Sequence, residues 1–419
     1  MRLTLTFLTF VALVCSSVLL AEDVTRFRGD NAQGQYNEEG LLDSWPEDGL
    51  TPKWVIDDLG EGYGSVIKVK DRLYVNCLDV EDVKKESVVC MDMNGKQIWQ
   101  TTTGAIWSGD HSNPRTTPTF VAGEKAGDDR LLVLSGLGDL YCLAASDGAV
   151  VWKEFPCHTY ETQFGNWGIA ENLAVKDGKV FVTVGGAKAL AVAYNIADGS
   201  VAWETAPLDD KCAYVAPVVY EDKLIIVTAK YVSILDTANG ELLWKDDFIE
   251  STGGAARLGG IHCNAPLIKG NRFFVTQGYG QGCAMYEMNA DGKGAELKWG
   301  SKAIDTHHHG VVEIDGRIYG SNFRGRWCCI DWETGDTVYS EAWEGSGKGV
   351  TIFADGKLFM YSEPRGTVAL VKPSDKFEIS GSFSIEYGTA EHWAHPVISD
   401  GVLYVRHGKS LAAYDIAKK

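Results

Sequence analysis

The residues with chemistry to offer stand at recurring positions rather than inside one motif. Eight stretches of the chain align on a position held by Pro118, Pro217, Pro266 and Pro396 in four of them. Three residues before it stand Tyr63, Arg115, Tyr214, His307 and Trp393; one residue before it stand Glu171, His309 and His395. If these stretches are strands, the spacing of two puts both sets on one face. A face carrying Arg, Glu, Tyr, His and Trp is unusually polar and aromatic for a packed interior. It reads as the wall of a ligand pocket. Trp167, in Gln163-Phe-Gly-Asn-Trp-Gly168, and the Ser108-Gly-Asp-His111 stretch read as loops at its rim.

Each residue suggests a chemistry and an alternative. Arg115 could face a ligand in the pocket, or pair with Glu171 across it and plug it. His307-His308-His309 invites a metal reading, because i and i+2 on a strand project together. Two His are too few for a zinc site, which wants four ligands including solvent, and no carboxylate can be placed beside them, so no metal is expected. His309 and His395 could act as an acid–base pair or simply as a polar wall. No Gly-x-Ser-x-Gly, P-loop, His-Glu-x-x-His or dinucleotide-binding fingerprint occurs. Hydrolytic and nucleotide chemistry therefore have no support.

What must position these residues is a repeat. Across 419 residues a turn residue followed by apolar, strand-forming residues recurs from Asp71-Arg-Leu-Tyr-Val75 to Asp400-Gly-Val-Leu-Tyr-Val405, eight times in all. A second phrase, Asp-x-x-x-Gly-x-x-x-Trp with small variations, follows most copies and ends at Trp99, Trp152, Trp203, Trp244 and Trp299, with Tyr339 in the sixth. The seventh copy is degraded. The eighth stops at Lys419 without its Trp, and the missing half stands at the other end as Pro52-Lys-Trp54-Val55. Four strands per repeat, joined by Asp-Gly hairpins, use all of residues 59–419. The expected fold is all-β, an eight-bladed propeller of four-stranded antiparallel blades, its ring closed by an N-terminal strand from an arm spanning 22–58. Trp54, Trp99, Trp152, Trp203, Trp244 and Trp299 are expected to dock neighbouring blades. Burying ~200 Å² of indole corresponds to an upper bound near ~5 kcal/mol each.

A net charge of −18 argues against nucleic-acid or anionic-membrane partners, whose phosphates need clustered Lys and Arg. Residues 1–21, one Arg followed by an apolar run and a small-residue exit, read as a signal peptide. No second apolar run approaches a membrane span. The chain is expected to be exported, periplasmic or extracellular, with an N-terminal tether as the alternative. Of ten Cys, Cys90, Cys142 and Cys329 sit in apolar strand patterns and read as buried thiols.

The repeated Asp-x-x-x-Gly-x-x-x-Trp phrase resembles the tryptophan-docking repeat of the pyrroloquinoline quinone (PQQ)-type propellers. That superfamily holds quinoprotein alcohol dehydrogenases and a β-barrel assembly lipoprotein that binds no quinone. The opening Phe27-Arg-Gly-Asp, Gly34, Trp45-Pro46 and Trp54 are similar to PQQ-like repeat proteins of planctomycete type. The resemblance implies the fold. For a dehydrogenase it would also imply a quinone stacked on Trp393 or Trp167, Arg115 at its carbonyl oxygen, and calcium beside Glu171. Cys328-Cys329 matches the adjacent pair of such enzymes only in sequence, because Cys329 occupies the repeat position of Cys90 and Cys142. The calcium-binding Glu, Asn and Asp match no motif here. The reading is an exported, non-catalytic binding or scaffold module for a protein, peptide or small ligand. The alternatives are a PQQ- and calcium-dependent alcohol or sugar dehydrogenase and, on the aromatic funnel alone, a sugar-lyase-like propeller.

Overall fold

A computed structural model describes residues 23–29, 32–253, 260–343 and 346–419. The 1–21 leader lies outside them. The strands form eight antiparallel four-stranded blades with one extra strand, and among the described residues only two single-turn helices interrupt them. Blades 1 to 8 begin at their inner strands, Ile67–Val69, Thr119–Val121, Ala174–Lys176, Val218–Tyr220, Leu267–Lys269, Val312–Ile314, Gly349–Ala354 and Val397–Ser399. The inner hairpins turn tightly because Asp177-Gly178, Asp315-Gly316, Asp355-Gly356 and Asp400-Gly401 hold positive φ at both residues, the geometry whose twist matches paired strands. In blade 8 the outer strand is Trp54–Ile56, paired antiparallel with Ser410–Asp415 in the register Trp54↔Ala413.

The repeated phrase spells both halves of the joint between blades. A register shift just before the Trp sets it opposite a third-strand residue, as in Trp99↔Cys90, Trp152↔Cys142, Trp203↔Ala193 and Trp299↔Met285. Each indole then lies against the turn glycine of the next blade. A Cβ on Gly148 would come within 2.5 Å of Trp99, one on Gly240 within 2.5 Å of Trp203, and one on Gly335 within 2.5 Å of Trp299. The indole N–H crosses the gap to a backbone carbonyl: Trp54 to Met93, Trp152 to Ile196, Trp203 to Thr237 and Trp299 to Trp332, at 2.8–3.2 Å. Trp244 instead packs edge-on against Tyr286 and Phe273, and the N–H of Trp99 finds no acceptor.

The degraded seventh blade is repaired from the arm. Gly381 pairs with Leu370 where blade 6 carries Tyr339 and the other blades a Trp, and a Cβ there would sit 2.9 Å from the Trp45 backbone nitrogen. Trp45 fills that place, packing on Phe359 and Phe383 and donating to the Val368 carbonyl at 3.1 Å. Upstream, Gln35–Tyr36 pairs in parallel with the inner strand of blade 7. The arm therefore does more than close the ring. It crosses one mouth of the central channel, bonding to Lys68 of blade 1, Phe120 of blade 2, Ile268 of blade 5 and Glu313 of blade 6.

All nine described cysteines are free, and eight of them are buried. Cys328 and Cys329 lie on the strand Trp327–Asp331 in different core clusters, one on each side of blade 6.

Candidate functional site

Most inner strands are only three residues long, so the wall of the central funnel is built from the non-strand segments that lead into them. That changes which side chains face inward. A cavity of about 190 Å³ is lined by Phe27, Tyr63, His111, Arg115, Trp167, Asn172, Tyr214, Cys263, Tyr279, His307, His308, Trp393 and His395, with a few small residues. Seven of the nine sequence candidates are among them. Glu171 and His309 are not. Glu171 turns into blade 3, where its Oε1 accepts from the Thr183 N–H at 2.9 Å, and burial raises its pKa to about 8. It therefore forms no plug with Arg115 and offers no calcium ligand to the cavity. His309 is fully buried beside Glu363, because Asp305–Gly310 is not extended and the period of two does not apply.

Arg115 is held by backbone alone: its guanidinium donates to the carbonyls of Trp167 and His111. Among the described residues no carboxylate forms an ion pair with it, and burial lowers its pKa. The rings around it are packed on one another. Trp393 lies 4.7 Å from Tyr63, 4.8 Å from His111 and 4.8 Å from His308, and Trp167 lies 5.4 Å from Tyr214. Tyr63 is fixed by donating to Glu391 Oε2 at 2.5 Å.

Behind His395 lies Arg28 of the arm, a residue to which sequence reasoning assigned no role. Its guanidinium is sealed between Gly34 and Gly310, where any Cβ would come within 2.3 Å. It donates to the carbonyls of Ala32, Gln33, Val311 and Thr351 and sits 3.1 Å from His395 Nδ1. A guanidinium only donates, so His395 Nδ1 accepts, and its Nε2–H donates to the His308 carbonyl at 2.9 Å. Both nitrogens are engaged and burial holds the ring neutral. His395 is a strut rather than half of an acid–base pair with His309.

The same logic orders the blade 6 and 7 side. Lys348 Nζ lies 2.8 Å from His307 Nδ1, which must accept, so Nε2–H donates to Tyr279 Oη at 3.0 Å. Glu363 Oε2 lies 3.0 Å from His309 Nε2 and 3.3 Å from Lys348 Nζ. Burial opposes its ionisation, yet His309 and Lys348 outweigh that and hold the carboxyl at about 2. Glu363, in the hairpin between the second and third strands of blade 7, carries no sequence signal and was missed.

A quinone with calcium does not fit this wall. Trp393 is packed by Tyr63, His111 and His308 rather than presenting a free face, and the adjacent cysteines are in blade 6. Glu171 is remote. The one cluster of three ligating side chains found among the described residues is His308, His309 and Glu363, nitrogen-rich where calcium takes six to eight oxygens.

The fold and site define a tryptophan-docked, eight-bladed propeller with a central pocket closed at one end. The chain belongs to the family of the outer membrane protein assembly factor BamB, whose model matches residues 84–341, more than half of its length. Among solved structures it is similar to BamB from Moraxella catarrhalis (13% identity, TM-score 0.60, covering 87% of this chain and 97% of that one). It is also similar to a europium-containing methanol dehydrogenase (10%, 0.64, 92% and 90%). A third is the quinohemoprotein alcohol dehydrogenase ADHIIG from Pseudomonas putida HK5 (14%, 0.62, 95% and 80%). At these identities the likeness is one of fold. No curated protein matches the chain, and no helix among its described residues is long and apolar enough to cross a membrane.

Proposed function

We propose that this chain is an exported, non-catalytic binding module whose funnel receives the carboxylate-bearing end of a peptide or small molecule. The observation that carries the reading is Arg115: a guanidinium facing an aromatic cavity, fixed by two carbonyls and, among the described residues, paired with no carboxylate. Such a group is pre-organised for an anion, and rigid pre-organisation raises affinity by lowering the ordering cost of binding. Tyr63, Trp167, Tyr214 and Trp393 all line the cavity and offer ring edges to an apolar or aromatic body beside that anion. The BamB-like family favours a protein partner, and a protruding chain end meets both requirements. The acidic surface steers away nucleic acid, and the apolar 1–21 leader supports export.

Calorimetry tests this directly. Titration with N-acetyl-tryptophan should give saturable heat of binding, and its uncharged amide should bind about tenfold more weakly, the worth of one charge-assisted contact. Absence of binding by either compound would overturn the pocket reading. Dye reduction by the protein with PQQ, calcium and an alcohol would overturn the non-catalytic one.

A further inference from the structure

We infer that His308, His309 and Glu363 form a binding site for a divalent transition metal of the zinc class, opening onto the funnel through His308. Their ligand atoms all lie within 4.8 Å of one another. Tetrahedral zinc with bonds of about 2.0–2.1 Å spaces its ligands about 3.4 Å apart. Closing the three atoms to that spacing calls for rotation about the His and Glu side-chain torsions.

A second, independent observation is that these nitrogens are poorly served by the protein. His308 Nε2 and His309 Nδ1 make no hydrogen bond, and the approach of His309 Nε2 to Glu363 is not aligned as one, though all three nitrogens are buried. Buried ring nitrogens without partners are costly, and a metal ion would satisfy them. Two nitrogens and one carboxylate leave the fourth position to solvent or to a ligand in the cavity, the pattern of an open zinc site. The donor set selects against calcium and magnesium, which prefer oxygen.

Lys348 is the built-in competitor. Its ammonium stands 3.3 Å from Glu363 Oε2 and balances its charge, although that oxygen makes no hydrogen bond. On metal binding it would keep His307 Nδ1, 2.8 Å away, and become a second-sphere neighbour. The site then weakens when the ammonium is near and tightens when it is removed.

The test uses the full chain freed of metal by chelation. Calorimetric titration with Zn²⁺ should show one equivalent bound, and Co²⁺ should give the intense visible absorption of a four-coordinate site. Glu363→Gln, which preserves volume, should weaken Zn²⁺ at least tenfold, and Lys348→Met should tighten it. His158→Ala, an exposed histidine in the single-turn helix Pro156–Thr159 that lines no part of the funnel, should leave it unchanged. No stoichiometric Zn²⁺ binding, or binding indifferent to Glu363→Gln, would overturn the site. Weaker binding in Lys348→Met would overturn the competitor role. The carboxylate pocket stands or falls separately, because N-acetyl-tryptophan is titrated with chelator present.

Discussion

Each end of the central channel is furnished with an arginine that meets backbone carbonyls rather than a carboxylate, and the two ends nevertheless do opposite things. At the closed end Arg28 is 2% exposed, engages the carbonyls of four residues and reaches blades 6, 7 and 8 from the arm. At the open end Arg115 engages two carbonyls and spends the rest of its surface on a cavity. The same group is structural where its donors are exhausted and available where they are not. A guanidinium has five N–H donors, so the inventory of carbonyls around it, and not its residue type, decides which role it has.

The largest expected effect follows at the closed end. Arg28→Ala removes a shared donor from several enclosed carbonyls and leaves a void between Gly34 and Gly310. It should cost about 3 kcal/mol or more, since each stranded buried acceptor alone costs about 1–3, and chemical denaturation should show it. A variant as stable as the parent would mean that the arm does not seal the channel. Next, at the open end, Trp393→Ala should cost about 2 kcal/mol, below the about 3–5 of a fully buried indole, because its outer side borders the cavity. It should also loosen Tyr63 and His111, visible as weaker calorimetric binding of N-acetyl-tryptophan.

These contrasts explain what the sequence made legible. The blades were readable because one phrase recurs with its glycine and its indole, and each part of the phrase does something mechanical. Gly240 lies flat under Trp203, and Gly148 under Trp99. Trp45 was visible only as part of a resemblance. Nothing periodic tells that it replaces the indole absent at Gly381. The pocket wall was half readable. Counting back from the turn located the right segments, but assigning faces by a strand's period failed at Glu171 and His309, where the backbone is not extended. Arg28 and Glu363 lay beyond reach, since each is brought to the site by a segment with no counterpart in the other repeats.

Burial away from both ends gives a smaller, pH-dependent effect. Glu171 and Glu86 are fully enclosed carboxyls raised by burial to about 8 and about 7, from 4.5. Each binds its proton more tightly folded than unfolded, so the folded state holds more protons between 4.5 and those values. Stability from these groups is therefore full below about 4.5 and falls as pH rises towards about 8. Glu171→Gln keeps the bond from Thr183 while removing one titration. Urea midpoints of this variant should decline less between about pH 5 and about pH 9 than those of the parent. An unchanged slope would show that Glu171 is ionised in the fold.

The smallest stability change is expected at Arg115, and it is the most discriminating. Arg115→Ala strands only the carbonyls of Trp167 and His111, both in loops at the rim where water replaces the lost donor. Unfolding free energy should therefore change by about 1 kcal/mol or less, while affinity for N-acetyl-tryptophan falls about tenfold towards that of its amide. Arg115→Lys should recover little, because an ammonium cannot hold two diverging carbonyls and still present a planar fork to a carboxylate. If Arg115→Ala instead unfolds the protein as Arg28→Ala does, the two ends are equivalent struts and the funnel has no reserved anion donor. If stability holds and binding is lost, the division between a sealed end and a receptive end is a property of donor inventory that two point substitutions can read out.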